Sequence, residues 1–247
     1  MSKIELIRPS WPSPESVRAI STTRSGGFSA APFDSLNLAD HVGDVTSAVQ
    51  RNRELLVEQF VAGSKSQWLQ QIHSNRVVRV ESSTELLEAD ALVTSNKGIV
   101  LNILTADCLP LLLCAKDGSE IAAVHCGWRG LASGIIANTL ATMVSDPDQL
   151  LAWMGPAIGS CHFEVGAEVR EAFAGSLSAE SLEQCFQSAA DAKFMANLVG
   201  IASAQLCELG VRQVSGDDYC TYCDADRYYS YRRDGQCGRM VTAICIT

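Results

Sequence analysis

The stretch "TADCLPLLLCAKDGSEIAAVHCGWRGL", residues 105–131, decides how this chain folds. Two hydrophobic runs, "LPLLLCAK" and "EIAAVHC", flank "DGS", a good turn sequence, and predict a β-hairpin. Asp107 and Cys108 lead into the first strand. The second strand ends on His125 and Cys126, followed by a glycine-flanked Trp128–Arg129 turn. Buried strands ordinarily end on inert residues. The chain has only 4 histidines, and one of them stands at this strand end. The open end of the hairpin is therefore a candidate site.

Working outward, "VRAISTT" reads as a first strand, and "RSGGFSAAPFDSLNLADHVGD" as a long loop rich in Gly, Ser, Pro and Asp. Loops of that length inside compact domains are usually functional. "DVTSAVQRNRELLVEQF" has helical periodicity, with Asp44 as its N-cap. Short strands follow in "QWLQQ", "NRVVRVE", "ADALVTS" and "GIVLNILT". Beyond the hairpin, "LASGIIANTLATMV" is helical, and "LLAWMGPAI" is a strand ending in a Gly-Pro turn. "EVGAEVREAF" and "KFMANLVGIASAQLCELG" are helices, the second stopped by Gly210. "RRDGQCGRMVTAICI" closes the chain as a turn and a terminal strand. Strands and helices are mixed, and several strands look hairpin-connected. The expectation is α+β with a mixed sheet. No repeat and no shift of composition marks a boundary, so residues 1–247 are expected to form a single domain.

A chain of 247 residues can bury a large core. Hydrophobic residues make up 47% and charged residues 19%, ordinary proportions for a soluble globular protein. A formal charge of -9 argues against long nucleic acid, which needs a basic footprint. Small anions stay open if a few arginines converge. The N-terminal "MSKIELIRPSWPSPE" has no long apolar core of a signal peptide. No apolar run reaches the roughly 20 residues of a membrane span. The 10 cysteines are expected to be mostly reduced, because disulfide scaffolds are small secreted chains. Most should fill the core as small hydrophobes.

His73 in "QQIHSNRV", Cys108 and His125 all fall at predicted strand ends or turns, where side chains can converge. Two imidazoles and a thiolate suit zinc, and three protein ligands leave the fourth position open for water or substrate. The spacing matches no short zinc-finger motif. A satisfied core histidine is the bland alternative. A Cys-His hydrolase, with Cys108 as nucleophile and His73 or His125 as base, is another. Cys126 should face the opposite side of its strand and is the poorer ligand. "CTYC", Cys220 to Cys223, has neither a second CxxC nor a thioredoxin-type helix after it, and reads as structural or incidental.

"CGWRGLASG" enters a helix through a glycine-rich turn, where free N–H groups favour anions and Arg129 adds charge. Arg24 in "TTRSGGFS" and Arg232 and Arg233 in "YYSYRRDG" are further candidates, since arginine pairs with phosphate or carboxylate in bidentate fashion. Solvated arginines would look the same. His162 in "GPAIGSCHFEVG" is expected near the site or capping the next helix. His41 belongs to the long loop. Both rank below His73 and His125.

"TTRSGGFS", "SLNLADHVGD", "QIHSNRV", "ADALVT", "TADCLPLLL", "AVHCGWRGL", "GPAIGSCHFEVG" and "YYSYRRDGQCGRM" together resemble the laccase-domain family, also labelled polyphenol oxidase of the multicopper type. The resemblance runs from about Arg18 to Ile246. It implies one α+β domain of layered mixed β-sheets flanked by helices, and a zinc site at His73, Cys108 and His125. It further implies a cytoplasmic purine nucleoside phosphorylase with adenosine deaminase activity. Adenosine, inosine and phosphate would be its small-molecule partners, and a monomer is the favoured state. Asp107, beside Cys108, is the acid–base candidate. Other family members resemble peptidoglycan-precursor editing hydrolases. The label laccase meets a physical objection. Such oxidases hold one mononuclear and one trinuclear copper centre with many imidazoles, and this chain has 4 histidines and no His-x-His pair. Copper(II) would bind a thiolate–imidazole set adventitiously, being at the top of the affinity order. A zinc-binding protein without catalysis is the remaining alternative.

Overall fold

The computed structural model describes residues 4–83, 85–216 and 219–247. The hairpin is its centre. Leu109–Ala115 and Ile121–Cys126 pair antiparallel, with Ile121 opposite Cys114 and Cys126 opposite Leu109. The turn is closed as "DGS" predicts. Gly118 takes a positive φ of 76°, and the Asp117 carboxylate accepts from the Ser119 backbone N–H at 2.9 Å. Gly118 is well suited because a residue without Cβ enters that region at no steric cost.

Around the hairpin grows a six-stranded sheet in the order 213–215, 150–154, 109–115, 121–126, 91–94 and 77–79. A five-stranded sheet runs in the order 6–7, 17–22, 240–246, 99–105 and 65–67. Both are mixed. Leu150–Met154 pairs parallel with Gln213–Ser215, and Lys65–Gln67 parallel with Ile99–Thr105, while the central pairs are antiparallel. The fold is α+β with layered mixed sheets, as expected.

Side-chain alternation explains the layering, because successive residues of a strand face opposite sides. Leu109, Leu111, Leu113, Ala122, Val124 and Cys126 point to one side, against Leu131, Ile135, Leu140, Ile201 and Leu206 of the helices Trp128–Ala132, Ile135–Thr142 and Leu198–Glu208. Leu112, Cys114, Ile121, Ala123, Leu151 and Trp153 point to the other side, against Leu101, Ile103, Met240 and Ile244 of the five-stranded sheet. The outer face of that sheet, with Ile20, Val100, Val241 and Ala243, is covered by Leu36 and Leu38 of the long loop and Leu56 of helix Thr46–Val57. Four layers result: helix and loop, sheet, sheet, helices.

Several boundaries differ from the sequence reading. Helix Thr46–Val57 has Val45 at its N-cap, and Asp44 instead accepts from Val45 N and Asn37 Nδ2. "LASGIIANTLATMV" is split by Gly134, which starts the second helix in left-handed conformation. Glu164–Val165 and Phe194–Ala196 are strands, not helix starts, and they join Phe186–Ser188 in a small three-stranded sheet. Gly210 does end helix Leu198–Glu208. Its φ is 94°, and Val211 N reaches back to the Leu206 carbonyl at 2.9 Å. Among the described residues, no helix is long and apolar enough to cross a membrane. Cys114, Cys126, Cys185, Cys237 and Cys245 are buried as free thiols, whereas Cys108, Cys161, Cys207, Cys220 and Cys223 are partly or fully exposed, so half of the cysteines fill the core where most were expected to.

Candidate metal centre

The site opens where the two sheets separate. His125 continues the inter-sheet face of Ile121 and Ala123, and sits opposite Pro110 in the hairpin. Cys108 lies just ahead of the first hairpin strand, after Asp107, whose φ of 96° turns the chain there. His73 comes from the loop after Leu69–Gln70. It has a φ of 58°, and its backbone N–H donates to Asp90 at 3.0 Å, so the loop holds a conformation that histidine seldom adopts. The ligand atoms of His73, Cys108 and His125 all lie within 4.8 Å of one another. The two rings meet edge to face, with centroids 4.8 Å apart.

Asp90 organises this set and was missed by the sequence reading. It is fully buried where "ADALVT" enters its strand. Its carboxylate accepts from His125 Nδ1 at 2.8 Å, from the backbone N–H groups of His73 and Ser74, and from the Ser74 hydroxyl. A carboxylate only accepts, so His125 carries a proton on Nδ1 and turns Nε2 toward the site. A carboxylate behind a histidine is the usual support of a metal-ligating imidazole. Burial would raise the Asp90 pKa, but hydrogen bonds from His125 and Ser74 outweigh it and hold the carboxyl at about 2. The only signal in the sequence was an aspartate ahead of an apolar strand.

The same balance acts on the other partners. Burial pushes the Cys108 thiol up, yet His125 and His73 pull it down to about 6. Burial pushes His125 down, and Cys108 and Asp90 bring it up to about 9. Without a metal the groups thus favour a thiolate beside an imidazolium, and an ion bound by the thiolate would displace the imidazolium proton to complete the donor set of zinc. Cys126 faces the helices, and burial raises its thiol far out of the physiological range. Gly127 closes the floor. A Cβ there would stand 3.2 Å from both Cys108 Sγ and His73 Cδ2, and 3.7 Å from His125 Cε1. The residues therefore fit a metal ion: a buried thiolate, two imidazoles, one oriented by a carboxylate, and a glycine that leaves the space clear.

Above them opens a cavity of about 470 Å³. Asp107, Arg129, Arg232 and Arg239 line it with Trp128, Phe163 and Tyr231. The Arg129 guanidinium lies 4.4 Å over the Trp128 ring. Arg232 donates to the Glu164 carbonyl at 3.0 Å. Both Asp107 carboxylate oxygens are engaged at 2.7 Å, one by the Thr221 hydroxyl and one by the Arg232 backbone N–H. Arg239 and the loop residue His41 also reach this cavity, the first unexpected and the second ranked low from the sequence.

Arg24 and Arg233 do not reach it. Arg24 donates to the Asp34 and Ala225 carbonyls in a separate shallow pocket. Arg233 donates to the carbonyls of Thr221, Tyr222 and Tyr228 and pairs with Asp234. Both clamp loops. Helix Trp128–Ala132 is a single short turn, and Arg129 is the residue of that segment that brings a charge to the cavity.

Fold and site define a layered α+β protein with a candidate thiolate–imidazole metal site at the mouth between two sheets. The chain belongs to the family described as multi-copper polyphenol oxidoreductase laccase, which matches residues 18–247. It is 43% identical to the purine nucleoside phosphorylase of Haemophilus influenzae, over 98% of this chain and 99% of that protein. It is likewise 43% identical to purine nucleoside phosphorylase YfiH of Escherichia coli K12, over 99% of each chain. Among solved structures, a Neisseria meningitidis protein superposes with a TM-score of 0.93 at 40% identity, covering 98% of each chain. YlmD from Geobacillus stearothermophilus superposes at 0.89 with 27% identity, over 100% of this chain and 99% of that one.

Proposed function

We propose that this protein is a zinc-dependent purine nucleoside phosphorylase with adenosine deaminase activity, acting as a single cytoplasmic domain over residues 1–247. The observation that carries the reading is the Asp90-oriented His73–Cys108–His125 set facing a cavity with both cationic and aromatic walls. Relatives that align over nearly their whole length carry the name purine nucleoside phosphorylase, which supports it. His73, Cys108 and His125 would hold the zinc, which when bound supplies Lewis-acid polarisation or activates water.

The chain's own residues do the rest. Arg129 and Arg232 present charge to phosphate at the cavity wall, as phosphorolysis requires a bound anion near the ribose C1′. Trp128, Phe163 and Tyr231 offer flat apolar surface to a purine. Asp107, with both oxygens taken up, positions Cys108 and the backbone of Arg232. The two imidazoles of the set cannot supply the many that a multicopper centre needs, so copper would bind here adventitiously.

The test is chromatographic. Zinc-loaded protein is incubated with adenosine, with and without phosphate, beside Cys108→Ala. Phosphate-dependent adenine and ribose 1-phosphate, and phosphate-independent inosine, are expected from the wild type alone. No turnover of adenosine or inosine, with hydrolysis of a muramyl-amino-acid precursor instead, would replace this reading with precursor editing. No turnover of anything by folded, metal-loaded protein would leave a binding protein.

A further inference from the structure

A second cluster of metal-ligating side chains stands apart from the site just described. Cys161 and His162 lie in the turn after strand Leu150–Met154, and Cys220 and Cys223 in the loop that follows strand Gln213–Ser215. A single parallel bridge, Ala157 with Cys220, brings the two segments together, and Thr221 N donates to the Ala157 carbonyl at 3.0 Å. The ligand atoms of all four residues lie within 4.8 Å of one another. His162 Nδ1 is 3.0 Å from Cys161 Sγ and 3.4 Å from Cys223 Sγ.

We infer that Cys161, His162, Cys220 and Cys223 form a second, structural zinc site. Three thiolates and one imidazole are a full tetrahedral set, and a site with four protein ligands has no open position for substrate. The surroundings fit. Gly159 N donates to Cys220 Sγ at 3.2 Å, so the sulfur is held as an acceptor. A Cβ on Gly159 would come within 3.1 Å of that sulfur and 3.7 Å of Cys161 Sγ, so glycine permits the approach. Tyr222 stacks on His162, with centroids 4.1 Å apart and planes inclined by 16°, and fixes the plane of the imidazole. Cys161 and Cys223 are exposed, so an ion can enter from solvent.

The site's place in the fold gives it a task. Phe163 follows His162 directly and lines the catalytic cavity, and Arg232 donates to the His162 and Glu164 carbonyls. From the other segment, Thr221 holds Asp107, and the Thr221 and Tyr222 carbonyls receive Arg233. An ion joining 161–162 to 220–223 therefore fastens two walls of the cavity to each other. The inference does not depend on which reaction the cavity performs.

The test is zinc content by atomic emission on the full-length chain, after extensive dialysis against metal-free buffer. The wild type should keep about two equivalents, and Cys108→Ser about one. Cys161→Ser and Cys223→Ser, each made singly at an exposed position, should each lose the second equivalent. Cobalt(II) loaded into Cys108→Ser should show the thiolate-to-cobalt charge-transfer and intense ligand-field bands of a tetrahedral thiolate site. A Cys108→Ser protein that is folded and binds no zinc would overturn the inference. So would a thiol titration of denatured, zinc-loaded protein in which the wild type gains two thiols on reduction and Cys161→Ser or Cys223→Ser gains none, because the cluster would then hold a disulfide.

Discussion

At the scale of residues, Asp90 does the most with the least exposure. Its folded-state carboxyl sits at about 2, below the ordinary value of about 3.9. The folded chain therefore gives up this proton at lower pH than the unfolded chain does. The stability it contributes is complete above about pH 4 and is lost as pH falls through about 2. The displacement corresponds to about 2–3 kcal/mol. Urea unfolding of metal-free protein between those pH values should show that loss in the wild type and not in Asp90→Asn. Equal slopes would contradict the role. Gly127 gives a second expectation. Gly127→Ala places a methyl against Cys108 and His73. It should weaken zinc affinity at this site by about 10-fold or more while circular dichroism stays that of the wild type, read by competition with a chromophoric chelator. Unchanged affinity would mean that the ligands stand elsewhere. Cys108 and His125 were legible in the sequence because a short hairpin fixes where its ends meet. Asp90 was not, since its partners lie in a different loop. Arg24 and Arg233 show the converse: an arginine in a glycine- or tyrosine-rich segment reads alike whether it faces a ligand or clamps carbonyls, and only the fold tells them apart.

At the scale of elements, the hairpin is anchored at its turn end by a buried charge. Glu120, 2% exposed, accepts from Arg79 and from the backbone N–H groups of Val144 and Ser145. It thereby ties the second hairpin strand to the edge strand Val77–Arg79 and to the segment after helix Ile135–Thr142. Glu120→Ala removes the one carboxylate paired with half-buried Arg79, which keeps the Thr142 carbonyl, and leaves two N–H groups unpaired. The expected cost is about 3 kcal/mol, read from the denaturant midpoint at constant slope. A cost under about 1 kcal/mol would show that water replaces the carboxylate freely. The strands with long apolar runs were readable, because burial on both faces needs such runs. The short ones were not. Glu164–Val165 and Phe194–Ala196 precede helical periodicity and were absorbed into it, and Phe186–Ser188 carries no pattern of its own. Phe186–Ser188 and Phe194–Ala196 pair with each other as a short hairpin, and Glu164–Val165 joins them from far along the chain, a partner that local sequence does not encode. The Cys161–His162 turn and the Cys220–Cys223 loop meet for the same reason, across one bridge that no local pattern announces.

At the scale of the whole molecule, the packed core lies between the sheets and the candidate site at their mouth. Leu112 is fully buried there among residues of both sheets. Leu112→Ala should cost about 2–5 kcal/mol in chemical denaturation, and a value near zero would mean that the layers are not close-packed. The charge distribution follows the same division. A chain of net charge -9 gathers Arg129, Arg232 and Arg239 around one cavity, the arrangement that the proposed binding of phosphate beside the candidate metal ligands requires. The His73–Cys108–His125 set is proposed to make that cavity a phosphorolytic site. The most direct measurement is phosphate-dependent release of free base and ribose 1-phosphate from inosine, by metal-free and zinc-reloaded protein, with Cys108→Ala carried through the same steps. Release by the reloaded wild type alone is predicted. Equal release by the metal-free protein, or by Cys108→Ala, would contradict it.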